Sequence, residues 1–142
     1  MKNVLIDTSV YLAFFSKDNR YSLSSHAFFE SLLKERMQII LPVIVLTEVI
    51  DRLRRVEKKD LEEITRQLIL LRVVEMDEYW LADFFFKSMS TEPLSIRSQV
   101  ILATAQMNEA VVVSWNQKLL DLSREKYHIY SPSEYFVMTE MS

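Results

Sequence analysis

Three oxygen-bearing side chains stand where a parallel sheet would put its chemistry. Asp7 closes an apolar run in "VLIDTSV" (4–10), Glu48 sits inside "VIVLTEVI" (43–50), and Asn116 follows the apolar residues of "VVVSWNQ" (111–117). Carboxylate and carbonyl oxygens are hard ligands, suited to Mg2+ or Mn2+ far better than to zinc. An ion held by Asp7, Glu48 and Asn116 would neutralise phosphate charge and activate a water for in-line attack. Each residue also has an ordinary role open to it. Asp7 suits the cap of a helix starting at Thr8 or Ser9. Glu48 has Arg52 four residues on as a helical partner. Asn116 suits a turn or an N-cap. Glu48 is the most telling, because an acid in an apolar stretch must lie near a mouth or be paired.

The elements that would position these residues follow from pattern. Short runs rich in Val and Ile, at 3–6, 38–41, 72–76, 110–114 and 127–130, read as strands buried on both faces. Helical stretches lie between them, each with a start signal. Ser24 precedes Phe28, Phe29, Leu32 and Leu33. Pro42 opens a stripe of Leu46, Val49, Ile50 and Leu53. Asp60 and Glu63 form a capping box. Asp77 leads an aromatic helix, Ser95 precedes Ile96, Val100, Ile101, Thr104 and Ala105, and Pro132 begins the last helix. Strands alternating with helices imply one parallel sheet with helices on both faces. In such sheets ligands sit beyond the carboxyl ends of the strands, where Asp7 and Asn116 fall.

Composition narrows the function. At 142 residues, 49% apolar, residues 1–142 are expected to fold as one domain with a real core. A net charge of −3 argues against coating nucleic acid by bulk charge. With no cysteine there is no disulfide framework and no thiolate metal site. With no glycine there is no glycine-rich phosphate loop, and turns are expected to use Asn, Asp, Ser and the three prolines. No signal peptide and no membrane-length apolar run stand out, so a cytoplasmic protein is expected.

The sequence as a whole resembles the PIN-domain family, the nuclease fold of VapC-type toxins. The resemblance rests on "VLIDTSV", on "LPVIVLTEVI" and on "SQVILATAQMNEAVVVSWNQKLL", which in this order span nearly the whole chain. It implies a three-layer α/β/α sandwich around a central parallel sheet of about five strands. It also implies a Mg2+- or Mn2+-dependent endoribonuclease, possession of an antitoxin partner, and a homodimer. Matched residue by residue, Asp7 takes the first acidic position, Glu48 the second and Asn116 the fourth. Thr8 and Ser114 are placed to support the site through their hydroxyls. The third acidic position is Ser98, so the resemblance implies a weakened nuclease, or a PIN-fold module that binds RNA or protein without cutting. Arg97, beside it, would repel a cation if it pointed inward.

Secondary candidates are weaker. The stretch "DRLRRVEKK" (51–59) offers Arg52 and Arg55 to RNA phosphates, against a plain reading as a solvated helix face. Trp115 and Tyr11 flank the site in sequence and could stack on a base, although packing is the simpler role. His26 and His128 have no partner spacing for a metal or a triad. The aromatic helix at 77–89 carries more aromatic surface than one stripe needs, which suggests a partner surface. Phosphoryl transfer with Asp7 as nucleophile is disfavoured. A haloacid-dehalogenase-like site needs a second Asp where Ser9 stands, and a receiver domain needs a lysine after the fifth strand that the chain lacks.

Overall fold

The computed structural model describes residues 3–16, 19–55, 60–68, 72–74, 95–122 and 127–140. The chain runs β1 (Asn3–Ile6), α1 (Thr8–Phe15), α2 (Ser22–Glu35), β2 (Gln38–Pro42), α3 (Val43–Arg55), α4 (Leu61–Leu68), β3 (Arg72–Val74), α5 (Ile96–Met107), β4 (Ala110–Val113), α6 (Gln117–Leu120), β5 (Ile129–Tyr130) and α7 (Pro132–Glu140). The aromatic stretch at 77–89 and Lys58 and Lys59 lie outside the described residues.

All five strands are parallel, in the order β3-β2-β1-β4-β5. The chain moves outward from β1 through β2 to β3, then crosses back to lay β4 on the other side of β1. The switch point therefore falls between β1 and β4, paired from Asn3↔Ala110 to Ile6↔Val113. This is where an open α/β sheet parts to admit a ligand.

Burial explains the apolar runs. Every residue of β4 is buried, as are Val4, Leu5 and Ile6 of β1. Helices flank the sheet; α1 packs on α2 and α3, and α5 on β4. The buried apolar side chains form one continuous cluster that includes Phe28, Val49, Leu53 and Ile101. Burying one such side chain is worth about 1.5–3 kcal/mol. Two residues of the expected stripes face outward instead: Leu33 and Ile96 are exposed.

The helix starts follow local chemistry. Ser95 caps α5 by accepting from the Ser98 amide. At α7, Ser131 Oγ accepts from Glu134 N while Glu134 Oε1 accepts from Ser131 N, a reciprocal box with Pro132 at the first helical position. Helix α2 starts at Ser22, two residues ahead of the expected Ser24. Pro42 ends β2, and its helix begins at Val43. The turns also differ from expectation. Lacking glycine, the chain uses Arg36 (φ 56°) after α2 and Glu109 (φ 50°) after α5 in the left-handed region. That conformation costs a residue with a Cβ roughly 1–2 kcal/mol.

Candidate functional site

Asp7 leaves β1 and stands just before α1, almost fully buried. Its carboxylate makes no cap bond to the helix it precedes. One oxygen accepts from Ser114 Oγ at 2.8 Å and the other from Arg97 Nη2 at 2.7 Å. Ser114 follows β4, so the first of these bonds joins the two central strands across the switch point. Ser114 Oγ in turn accepts from the Asn116 backbone at 2.9 Å and lies 3.3 Å from Ser9 Oγ.

Glu48 lies in the second turn of α3, on the neighbouring strand's side. It pairs with Arg97, not with Arg52. Arg97 Nε donates to both Glu48 oxygens at 2.8 Å, and Thr8 Oγ1 donates to Oε1 at 3.0 Å. Arg97 Nη2 also donates to Thr8 Oγ1 at 2.8 Å. A single guanidinium therefore sits between the two acids and binds both. Burial alone disfavours its charge. The hydrogen bonds it donates to Glu48 and the charge of Asp7 outweigh that, so Arg97 holds its proton more tightly than an ordinary arginine.

Asn116 comes close to this network through its backbone but not through its amide oxygen. That oxygen accepts from the Lys118 amide at 3.0 Å and caps α6. Ser98 is buried in the first turn of α5; its amide and hydroxyl both face Ser95. Thr8 and Ser114 are both hydrogen-bonded into the acidic network. Of the remaining candidates, Arg52 is exposed, and Arg55 forks onto Asp51 four residues back. Tyr11 is buried, 1% exposed, against Phe29, which rules out base stacking there. Trp115 is half-buried, stacked 4.2 Å from Tyr21, with its indole N–H on Ser25. His26 lies 4.2 Å from the Phe14 ring.

The fold raises the question of a divalent ion, and the donor set answers it. Both carboxylates already hold a guanidinium, the Asn116 oxygen is engaged, and Ser98 stands where a third acid would help. Among the described residues no group of three or more His, Cys, Asp or Glu side chains is set to hold an ion. A magnitude decides the competition. An ion with a Kd of about 1 mM stabilises its bound state by only about 0.4 kcal/mol when present at about 1 mM. Breaking a buried ion pair costs about 3–5 kcal/mol. At millimolar ion concentrations Arg97 keeps its place, and the residues as arranged do not fit the metal.

Arg97 is the residue that spacing could not assign. Its neighbour Ser98 marks the third position, and the structure turns both toward the site, Ser98 buried and Arg97 reaching the two acids.

The architecture has known counterparts. No protein-family model and no curated protein matches the sequence. Solved structures do. A toxin–antitoxin complex from Klebsiella pneumoniae superposes with a TM-score of 0.71 at 17% identity, over 91% of this chain and 97% of that one. FitAcB from Neisseria gonorrhoeae gives 0.66 at 17% identity, over 92% and 98%. VapC20 from Mycobacterium tuberculosis, a toxin that cleaves the sarcin–ricin loop, gives 0.60 at 12% identity, over 80% and 89%. The chain thus has the PIN-domain fold on which VapC- and FitB-type toxins are built. Among the described residues no helix is long and apolar enough to cross a membrane.

Proposed function

We propose that this protein is a degenerate PIN-type endoribonuclease of a toxin–antitoxin pair, directed at RNA in the cytoplasm and attenuated by its own Arg97. The observation that carries the reading is the meeting of Asp7 and Glu48 around one guanidinium at the carboxyl edge of the sheet. Such an acid pair at the switch point is what remains of a nuclease centre after its third acid becomes Ser98. The neighbours add support: one is a sarcin–ricin loop cleaving toxin, and others are toxin–antitoxin assemblies, including VapBC2 from Rickettsia felis bound to a promoter DNA fragment. An antitoxin partner and a homodimer belong to the same reading, and the exposed Leu23 and Leu33 of α2 offer apolar surface to a partner.

Cleavage assays test this. Purified protein is incubated with structured and single-stranded RNA in millimolar Mn2+. The wild type is expected to cut at or near background. Restoring the acid and removing the internal cation together (Ser98→Asp with Arg97→Ala) is expected to raise cleavage at least tenfold, and Asp7→Ala in that background should abolish it. The position of Arg97 also favours a second reading, a PIN-fold module that binds without cutting. A restored double variant that folds, binds RNA and still does not cut would establish that module and refute the nuclease reading.

A further inference from the structure

Beside the acid pair opens a cavity of about 450 Å³ whose polar lining comes from Ser95, Arg97, Ser98, Asn116, Lys118 and Asp121. Its hydrogen-bonding groups are unbalanced. Arg97 uses Nε and Nη2 on Glu48, Asp7 and Thr8, while Nη1 meets no acceptor among the described residues. Ser98 Oγ accepts from Ser95 Oγ, which leaves its own proton to give. The Asn116 oxygen is bound to the Lys118 amide, and its NH2 group has no acceptor among the described residues. The Lys118 ammonium enters no ion pair among the described residues. The one acid on the wall, Asp121, has its Oδ1 engaged by Gln117 Nε2 at 2.6 Å.

Four kinds of unmatched donor therefore surround one small cavity, two of them cationic, with one partly engaged acid opposite. A cation site has the reverse inventory. An anion with several acceptor oxygens satisfies these donors, and phosphate has the geometry to do so. Arg97 makes the switch possible. By pairing with Asp7 and Glu48 it offsets one of their two negative charges, and its Nη1 still lacks an acceptor among the described residues. The start of α5, a 12-residue helix, lies in the same wall and adds the positive end of its dipole.

We propose that this cavity is a metal-independent phosphate site that seats a phosphodiester of an RNA strand. The choice of RNA rests on the function proposed above; the phosphate chemistry does not. Substituting an arginine for the expected ion would thus have turned a metal centre into an anion-binding one, so the chain holds a strand without needing a metal to do so.

The test is run in EDTA, so that nuclease activity has no bearing on it. A fluorescently labelled single-stranded oligoribonucleotide is titrated with wild type, Lys118→Gln, Ser98→Ala and Asp121→Asn. These positions line the cavity without bridging the acid pair, so the variants keep the fold, which thermal unfolding verifies. Wild type is expected to bind. Lys118→Gln should weaken binding about tenfold and lower the slope of log affinity against log salt by about 0.7. Ser98→Ala should weaken binding several-fold, and Asp121→Asn should tighten it several-fold. Inorganic phosphate and a nucleoside 5′-monophosphate should compete, and the nucleoside alone should not. RNA binding that is indifferent to all three substitutions, or that appears only on adding Mn2+, overturns the proposal. Wild type that binds inorganic phosphate by isothermal titration calorimetry but does not bind the oligoribonucleotide would overturn the RNA assignment.

Discussion

At the carboxyl ends of β1 and β4 the strands give way to Asp7 and Ser114, polar and almost fully buried; at the amino ends of the same strands Asn3 and Ala110 border a cavity of about 990 Å³. The larger space is the poorer site. Its rim mixes Glu35, Arg36 and Glu109 with apolar Met37 and Leu102, and one side-chain bond there, Asn3 Nδ2 to the Asn108 carbonyl at 2.9 Å, spans the chain. At the carboxyl end, bonds among Asp7, Thr8, Glu48, Arg97 and Ser114 tie together α1, α3, α5 and the loop after β4. The two ends also bear different kinds of cost. The carboxyl end holds the buried charge of Asp7 and the half-buried charges of Glu48 and Arg97, and these three are paired with one another. The amino end holds backbone strain, since Arg36 and Glu109, the left-handed residues among those described, lie on that rim. Volume does not mark the site in this molecule; paired buried charge does.

Substitutions can break or sharpen this contrast, and the largest effect belongs to Arg97. Arg97→Met leaves the 2%-exposed Asp7 side chain without its cation and should cost about 3 kcal/mol of unfolding free energy, measured in urea. Ser114→Ala removes the other bond to Asp7, a hydrogen bond to a charged group, and should cost about 2 kcal/mol by the same measurement.

A smaller effect concerns a polar atom left unmatched one turn along α1 from Asp7. The Tyr11 hydroxyl is buried without a partner among the described residues, and burial raises its pKa well above the ordinary 10.0. The phenol is therefore neutral in the folded protein over a wider pH range than in the unfolded chain. Its contribution is complete below pH 10 and is lost as pH rises further, because only the unfolded chain then releases the proton. The expected slope is about 1.4 kcal/mol per pH unit. Tyr135, raised by burial and then by Glu35, adds to the same fall. Tyr11→Phe should be neutral to slightly stabilising at pH 8 and should shed one tyrosine's share of the alkaline loss; urea unfolding at pH 8 and above pH 10 compares the two.

The smallest effect has the opposite sign and lies at the amino end. Arg36→Gly relieves a left-handed residue and should stabilise by roughly 0.5–1 kcal/mol. Loss of stability instead would mean that the Arg36 side chain contributes more than its backbone costs.

The sheet was legible in the sequence because its Val- and Ile-rich runs are buried on both faces, a pattern that side-chain chemistry alone dictates. Asp7, Glu48 and Ser114 were legible because polar residues interrupting such runs must find partners. The identity of those partners was not. Glu48 has Arg52 one turn away in sequence, yet it pairs with Arg97, 49 residues on. Local spacing ranks the first partner; only the crossing of α5 over the switch point brings the second. Asn116 illustrates the converse. Its plain role as an N-cap is the one its amide oxygen adopts, since the Lys118 amide is the nearest donor after the turn. The turns at Arg36 and Glu109 were hidden because, without glycine, left-handed positions fall to residues that carry no turn signal.

The central claim is that a guanidinium holds the position between Asp7 and Glu48 against a divalent ion. Counting free Mn2+ by its electron paramagnetic resonance signal, as it is titrated into wild type and into the Ser98→Asp, Arg97→Ala variant, tests this directly. The wild type should leave millimolar Mn2+ free while the variant takes up about one equivalent. Uptake of one Mn2+ by the wild type at micromolar concentration, lost in Asp7→Ala, would contradict it.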